Sequence, residues 1–431
     1  MYLRGSKWSM NRRRRRPNWF RIIFLSILIG VGLYINQFII PNTASPFVPT
    51  PTATRDPEAY VAEAQVLFEE GKLLQSVDTY KKAIQSRPND PTLFVEMARV
   101  QIYAGLYDDA QISAEDALLL NPNNSMAHVM RAWALDFQGE YLAAEAAIGR
   151  ALELDPNNAL AHAIYVEILV DSYLGGTGTF EGLEKAAEES RIALDLAPNA
   201  LESHRARGYI LEATANYEEA IREYEAAIAI NPNIADLHLA LGRNYRVLGV
   251  YDKAIEEFTR ANALNPSDPT PDLLISRTYA TVGEYAKAAQ YAETAMRDDP
   301  TNPNLRGNLG VMYYRNFQWP EAIEELKLAT SGGATENNEP IEPIPLVNDA
   351  RIAEYYFTYA LVLARLNRCG EALQIAQQIQ TRVPQDEIAV ANAQETINIC
   401  QTNLAVTPSP TLPPLPTGTA LPESGTAPPL P

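Results

Sequence analysis

Cysteine is almost missing from this chain, with two residues in 431. That excludes a disulfide-rich scaffold and a four-cysteine zinc site. Histidine is nearly as scarce, at four, so few general bases or metal ligands are on offer. No Ser-His-Asp order, paired-carboxylate site or phosphate loop stands out, and neither catalysis nor a cofactor is expected. Positive charge is missing from most of the length. Eight of the 35 Lys and Arg fall in the first 21 residues, which hold no acid; the other 27 face 53 Asp and Glu, a net of −26. Nucleic acid rewards clustered positive charge, so it is not an expected partner.

Long hydrophobic runs are missing too, save one. Ile22 to Ile40 is 19 residues, interrupted by Ser26, Asn36 and Gln37. As a helix it would measure about 28 Å, close to the thickness of a bilayer core. It follows the basic segment 1–21, with five arginines at Arg12–Arg16 and an aromatic pair at Trp19 and Phe20. That asymmetry predicts a single-pass anchor over 22–40, the N-terminus cytoplasmic and the remainder extracytoplasmic, in a bacterial protein. A cleavable signal peptide is the competing reading, with Asn42-Thr43-Ala44 the nearest match to a cleavage site. Residues 41–56 are Pro- and Thr-rich and read as a semi-rigid linker of up to about 50 Å. Residues 405–431 are Pro- and Thr-rich again and read as a disordered tail.

Between these lies a repeat. From Leu201 to Asn302 one 34-residue unit is written three times. The first copy carries Gly208, Leu211, Tyr217, Ala220, Tyr224, Ala227 and Pro232. The second carries Gly242, Tyr245, Tyr251, Ala254, Phe258, Ala261 and Pro266. The third carries Ser276, Tyr279, Tyr285, Ala288, Tyr291, Ala295 and Pro300. The pattern resembles the tetratricopeptide repeat, in which small residues sit where two helices cross and a proline closes each unit. Gly208 and Ala220 are expected at the crossing, letting the backbones approach, while the aromatic positions fill the ridge beside it. One unit cannot bury its own apolar face, so a stack is required.

The phase extends outward over 57–404. Earlier copies carry Ala64, Gly71, Tyr80, Ala83 and Pro88; then Ala98, Gly105, Tyr107, Ala110, Ala117 and Pro122; then Ala132, Gly139, Tyr141, Ala144, Ala151 and Pro156. The fourth keeps Ala186, Ala193 and Pro198 but is eight residues longer, placed here as a Gly-rich loop insertion at 174–180. The eighth carries Gly310, Tyr313, Trp319, Ala322 and Ala329 and runs into an acidic loop, 331–349, read as a solvated excursion without calcium-loop spacing. The ninth has Ala360, Ala372 and Pro384, and 385–404 reads as a solvating cap. The expectation is an all-α, right-handed α-solenoid of about nine helix pairs plus a capping helix.

All four histidines (His128, His162, His204 and His238) share the fourth position of their repeats. They lie a repeat spacing apart, about 10 Å, and cannot converge on one metal ion; a packing role is expected. Cys369 opens the ninth repeat's second helix and Cys400 lies near the end of the cap. Those two ends should lie side by side; with that end of the chain extracytoplasmic, oxidation is permitted and a disulfide stapling the cap is expected, with two buried thiols as the other reading.

In arrays resembling this one, the groove is lined by first-helix positions two, five, nine, twelve and thirteen. Mapping these gives Arg99, Tyr103, Arg205, Tyr209, Arg243, Arg246, Arg277, Tyr314 and Arg315. Arginine forks with carboxylates and stacks on aromatics, which suits an acidic or C-terminal-carboxylate peptide. The same arginines could instead pair with groove acids such as Glu202, Glu212 and Asp236. The resemblance implies a non-catalytic scaffold with protein or peptide partners. An acidic cell-envelope polymer, or a role as accessory subunit of an envelope-synthesis or secretion complex, are the alternatives.

Overall fold

The computed structural model describes residues 18–35, 37 and 56–406. The chain divides into two compact units, Met1–Asp56 and Pro57–Pro431. Most of the basic segment and the linker, and the tail from 407, lie outside the described residues.

In the first unit α1 spans Trp19–Tyr34, 16 residues. At 1.5 Å per residue that is about 24 Å, short of the ~30 Å hydrocarbon core. Among the described residues no helix is long and apolar enough to cross a membrane. This overturns the expected single-pass anchor over 22–40 and the membrane topology built on it. Residues 36 and 38–40 of the apolar run lie outside the described residues.

The second unit is a succession of antiparallel helix pairs. They are α2 (Pro57–Glu69) with α3 (Leu73–Ser86), α4 (Pro91–Tyr103) with α5 (Tyr107–Leu120), and α6 (Ser125–Phe137) with α7 (Tyr141–Leu154). Next come α8 (Ala159–Leu174) with α9 (Phe180–Leu196), α10 (Leu201–Ala213) with α11 (Tyr217–Ile230), and α12 (Ala235–Val247) with α13 (Tyr251–Leu264). Then follow α14 (Thr270–Thr281) with α15 (Tyr285–Asp298), and α16 (Pro303–Arg315) with α17 (Trp319–Ser331). A hairpin of β1 (Gly333–Ala334) and β2 (Pro340–Ile341) precedes α18 (Ala350–Arg365), α19 (Cys369–Arg382) and the capping helix α20 (Glu387–Val406). The described residues therefore form an all-α repeat array, with one two-stranded hairpin as its strand content.

Local chemistry sets these boundaries. Asp90, Asn124, Asn158 and Asn302 each accept a backbone N–H in the first turn of the helix that follows, satisfying a donor that has no intrahelical partner. The turn inside each pair needs one left-handed residue. Gly249 supplies it at φ +75°, whereas Ala215 and Phe317 hold the equivalent place at φ 62° despite the Cβ penalty there.

The two helices of a pair are matched by volume at their eighth and twenty-fourth positions. A Cβ on Gly242 would lie 2.5 Å from the Phe258 ring, and one on Gly208 would lie 2.9 Å from Tyr224. The glycine thus makes room for a ring rather than for a backbone, which differs from the expected close backbone approach. In the next copy the equivalent positions are Ser276 and Ala292, both small and buried, and Tyr291 stacks on Tyr279 at 5.6 Å.

Two sequence expectations change in detail. The eight extra residues of the fourth repeat do not form a loop alone. Helices α8 and α9 run to 16 and 17 residues, against 13 and 14 in the next pair, so most of the insertion lengthens helix. The acidic segment 331–349 is mostly exposed, Glu336, Glu339 and Glu342 included, but it is pinned to the array at a few apolar points. Ile341, Ile344 and Leu346 are buried, and Tyr356 donates its hydroxyl to the Ile344 carbonyl at 2.6 Å. At the far end Cys369 and Cys400 are joined, with Cα atoms 5.5 Å apart and both residues buried.

Gly242→Ala is expected to cost about 1–3 kcal/mol, the usual penalty for overpacking, read as a lowered urea midpoint. Replacing Cys369 and Cys400 by serine is expected to lower stability by about 2–4 kcal/mol for a loop of this length. Equal midpoints for reduced and oxidised protein would show that the bond constrains nothing.

Candidate functional site

The inner face of the array is built by the first helix of each pair. Helix α4 packs on α6, α6 on α8 and α8 on α10, so the inward side chains of repeats two to five meet one another. Trp133 is fully buried among them and donates its indole N–H to Glu167 at 3.0 Å. Tyr103 packs edge-on against Trp133 at 5.3 Å. The coil also comes round on itself: Asn233, in the turn after α11, donates to the Glu69 carbonyl at 2.7 Å.

This closure decides what becomes of the mapped groove residues. Arg99 reaches across to Glu202 through Nε at 3.1 Å and through a shorter ion pair, and Tyr103 donates to the same carboxylate at 2.9 Å. Burial alone would raise the Glu202 carboxyl, but Arg99 and Tyr103 outweigh it and hold it below its usual range. Arg205 pairs with Glu167 at 3.2 Å and lies over Trp133 with its guanidinium carbon 5.2 Å from the ring. Tyr209 donates to Asp171. Arg243 pairs with Glu212 at 3.1 Å, and Glu212 also accepts from Tyr224 at 2.9 Å. Arg315 pairs with Glu354 at 2.7 Å, and the Tyr314 hydroxyl accepts from Arg365 at 3.1 Å.

Arg246 and Arg277 stand apart. Neither forms an ion pair with an acid among the described residues. The Nε of Arg246 is buried without an acceptor, and Arg277 donates to the neutral Asn308 at 3.3 Å. Burial, then the charges of Arg277, Arg351 and Arg243, lowers the Arg246 guanidinium; burial, then Arg351, lowers that of Arg277. Like charges have thus been gathered in the second half of the array, with a single carboxylate, Glu354, shared by Arg315 and Arg351.

Acids that the sequence reading passed over lie on the same wall. Asp136, Glu167 and Asp171 occupy the twelfth, ninth and thirteenth positions of their helices, places already belonging to the groove set. Scanning that set for acids as well as bases would have found them. Burial pushes Glu167 up to about 7. Burial, then the neighbouring Asp171 and Glu167 charges, raises Asp136, and burial raises Asp171.

The histidines form a polar clamp rather than apolar packing. His162, His204 and His238 each meet the carbonyl of the preceding Pro through Nε2 at 2.9–3.0 Å. Their Nδ1 atoms meet Glu189, Glu223 and Glu257 at 2.5–2.7 Å. Arg306 does the same in the eighth repeat, reaching the Pro300 carbonyl and Glu325. His128 has Ala147 where the others have glutamate, and its Nδ1 is left without a partner. Among the described residues no group of three acids, histidines or cysteines is placed to hold a metal ion.

An array of helix pairs stacked along one inner wall is an α-solenoid. Family models described as tetratricopeptide repeat match residues 57–90, 95–169, 201–234 and 273–338. They support the tetratricopeptide repeat family, whose members are typically non-catalytic and bind protein partners, and hence an interaction scaffold. No curated protein matches the chain. Similar solved structures include Pseudomonas aeruginosa pilF, 22% identical with TM-score 0.40, covering 47% of this chain and 90% of that one. A tetratricopeptide repeat protein from Parabacteroides merdae is 16% identical with TM-score 0.39, covering 59% and 98%. The human IFIT1 dimer with PPP-AAAA is 18% identical with TM-score 0.44, covering 62% and 71%.

Carboxyls raised in the folded state stabilise it in acid, and that stability is lost as the pH rises through the folded pKa. His162, raised first by its hydrogen bond to Glu189, acts in the same direction. Glu202, held low, loses stability only below the ordinary carboxylate range. The thermal midpoint is therefore expected to fall between pH 5 and pH 8, by about 5 °C for ~2 kcal/mol, with Asp136→Asn flattening the fall. A wild-type midpoint that rises over that window would refute this electrostatic account.

Proposed function

We propose that the array is a non-catalytic scaffold that holds an acidic segment of a protein partner against the inner wall of repeats six to nine. The observation that carries this reading is the Arg246–Arg277 pair: two inward guanidiniums that form no ion pair with an acid among the described residues, Arg277 feeling Glu354 only at a distance, in a chain rich in acid. Bringing like charges together costs energy that the fold itself does not recover. A carboxylate from outside would recover it, since arginine binds carboxylates through two parallel hydrogen bonds.

The other mapped residues support the wall rather than the ligand. Arg99, Arg205 and Arg243 are engaged by Glu202, Glu167 and Glu212, so their charge is spent internally. Recognition then narrows from the whole groove to its second half. An acidic segment ending in a free carboxylate suits the patch, because Arg351 and Arg315 extend it beyond Arg277 with partly satisfied charge. An acidic polymer would meet the same patch with a steep dependence on salt.

Fluorescence polarisation with a labelled acidic peptide tests this. Arg246→Glu combined with Arg277→Glu is expected to weaken binding about 100-fold, at ~1.5–3 kcal/mol per charged hydrogen bond lost, while Arg99→Gln, internal to the wall, alters stability more than affinity. Unchanged affinity in the double variant would move recognition to the convex face.

A further inference from the structure

The first half of the inner wall encloses a cavity of about 380 Å³ whose charge is opposite to the arginine patch. Its lining brings together Asp136 from α6, Glu167 and Asp171 from α8, and Asp236 from α12, against Arg205 and Arg243. Four carboxylates face two guanidiniums. Arg243 is further drawn off by Glu212, outside the lining. The acid excess is therefore larger than the count of residues states.

That excess is buried, and part of it is unsatisfied. Asp136 is 3% exposed, no N–H or hydroxyl donates to its carboxyl oxygens, and its hydrogen-bonding neighbour is the Asp171 carboxyl. Glu167 is 2% exposed and gives one oxygen to Trp133 and Arg205, while the other has no partner. A buried carboxylate oxygen without a donor is costly. What the cavity lacks is a group that brings several N–H donors and positive charge. The carboxylates do not converge as a metal site among the described residues. The wall beside them is aromatic, with Tyr107 stacked on Phe137 at 4.5 Å, and ring faces attract organic cations. The volume lies at the small end of ligand pockets, enough for an amino-acid side chain or a short amine.

We propose that this cavity binds an organic cation, an alkyl ammonium or guanidinium group, whose N–H bonds are accepted by Asp136 and Glu167. The group has two sources, a free small amine or the Lys or Arg side chain of a bound partner. Without it, the hydrogen bond open to Asp136 is one in which a proton is shared with Asp171. Glu202 on α10 faces Arg99 and Tyr103 instead, and Tyr209 on α10 is committed to Asp171.

Titration calorimetry of the full chain at pH 8, with agmatine and separately with a capped arginine-containing tripeptide, tests the assignment. One-to-one binding is expected, weakened at least tenfold by Asp136→Asn and, as an independent variant, by Asp171→Asn. Circular dichroism confirms that each variant is folded. Binding of agmatine alone assigns a free amine; binding of the peptide alone assigns a partner's side chain. The acidic-peptide affinity, measured on the same variants, stays at the wild-type value, so the two readings fail separately. No binding of either probe at millimolar concentration, or undiminished binding by folded Asp136→Asn and Asp171→Asn, would overturn the proposal and leave the carboxyls as a proton-sharing pair.

Discussion

Each helix pair in the array is closed by a steric exchange between its two helices, and the spacing of the whole stack depends on it. Where the first helix has Gly242, the second brings the Phe258 ring into the space a Cβ would fill. Where the first helix has Ser276, the second answers with Ala292. Interiors are packed to near-crystalline density, so a ring on the second helix is met by a glycine or alanine on the first, as Phe258 is by Gly242 and Tyr80 by Ala64. A polar tie reinforces it. His162, His204, His238 and Arg306 hold the carbonyl of the closing proline and a glutamate of the second helix at once, fixing how one pair hands over to the next.

Because each handover is so constrained, small offsets accumulate into a coil tight enough to meet itself between Asn233 and Glu69. Inward side chains that would be solvated in an open groove then face one another across it. Arg99 and Glu202 are 103 residues apart in sequence and share an ion pair. The inner wall divides by charge as a result. Carboxylates exceed guanidiniums around Asp136 and Glu167, whereas guanidiniums exceed carboxylates around Arg246 and Arg277. A ligand arriving at either half meets a surface already missing its counter-charge, which is the basis of both binding proposals.

The irregular segments are absorbed by the same packing. The fourth repeat spends most of its extra length on longer helices, since a lengthened helix satisfies its own backbone hydrogen bonds where a long loop would not. The segment after α17 tucks Ile344 and Leu346 inward and fastens them through Tyr356. Its glutamates stay exposed, as their charge suggested, while its isoleucines and leucine hold it to the array.

By itself, the sequence determined the 34-residue repeat period and the all-α class from Pro57 onward, and it put Cys369 and Cys400 at ends that lie side by side. These follow from local signals: a 34-residue phase, asparagine and aspartate caps, and prolines where helices end. It also identified which positions face inward. Which of those inward arginines are free was decided only by the tertiary structure, because Glu167 and Glu212 meet their partners between neighbouring repeats and Glu202 reaches Arg99 across the coil. Charge pairing over such separations depends on superhelical curvature, a sum of many small angles that no local signal encodes. The N-terminal run shows the same limit from the other side, where apolar composition pointed to a span that the 16-residue helix does not supply.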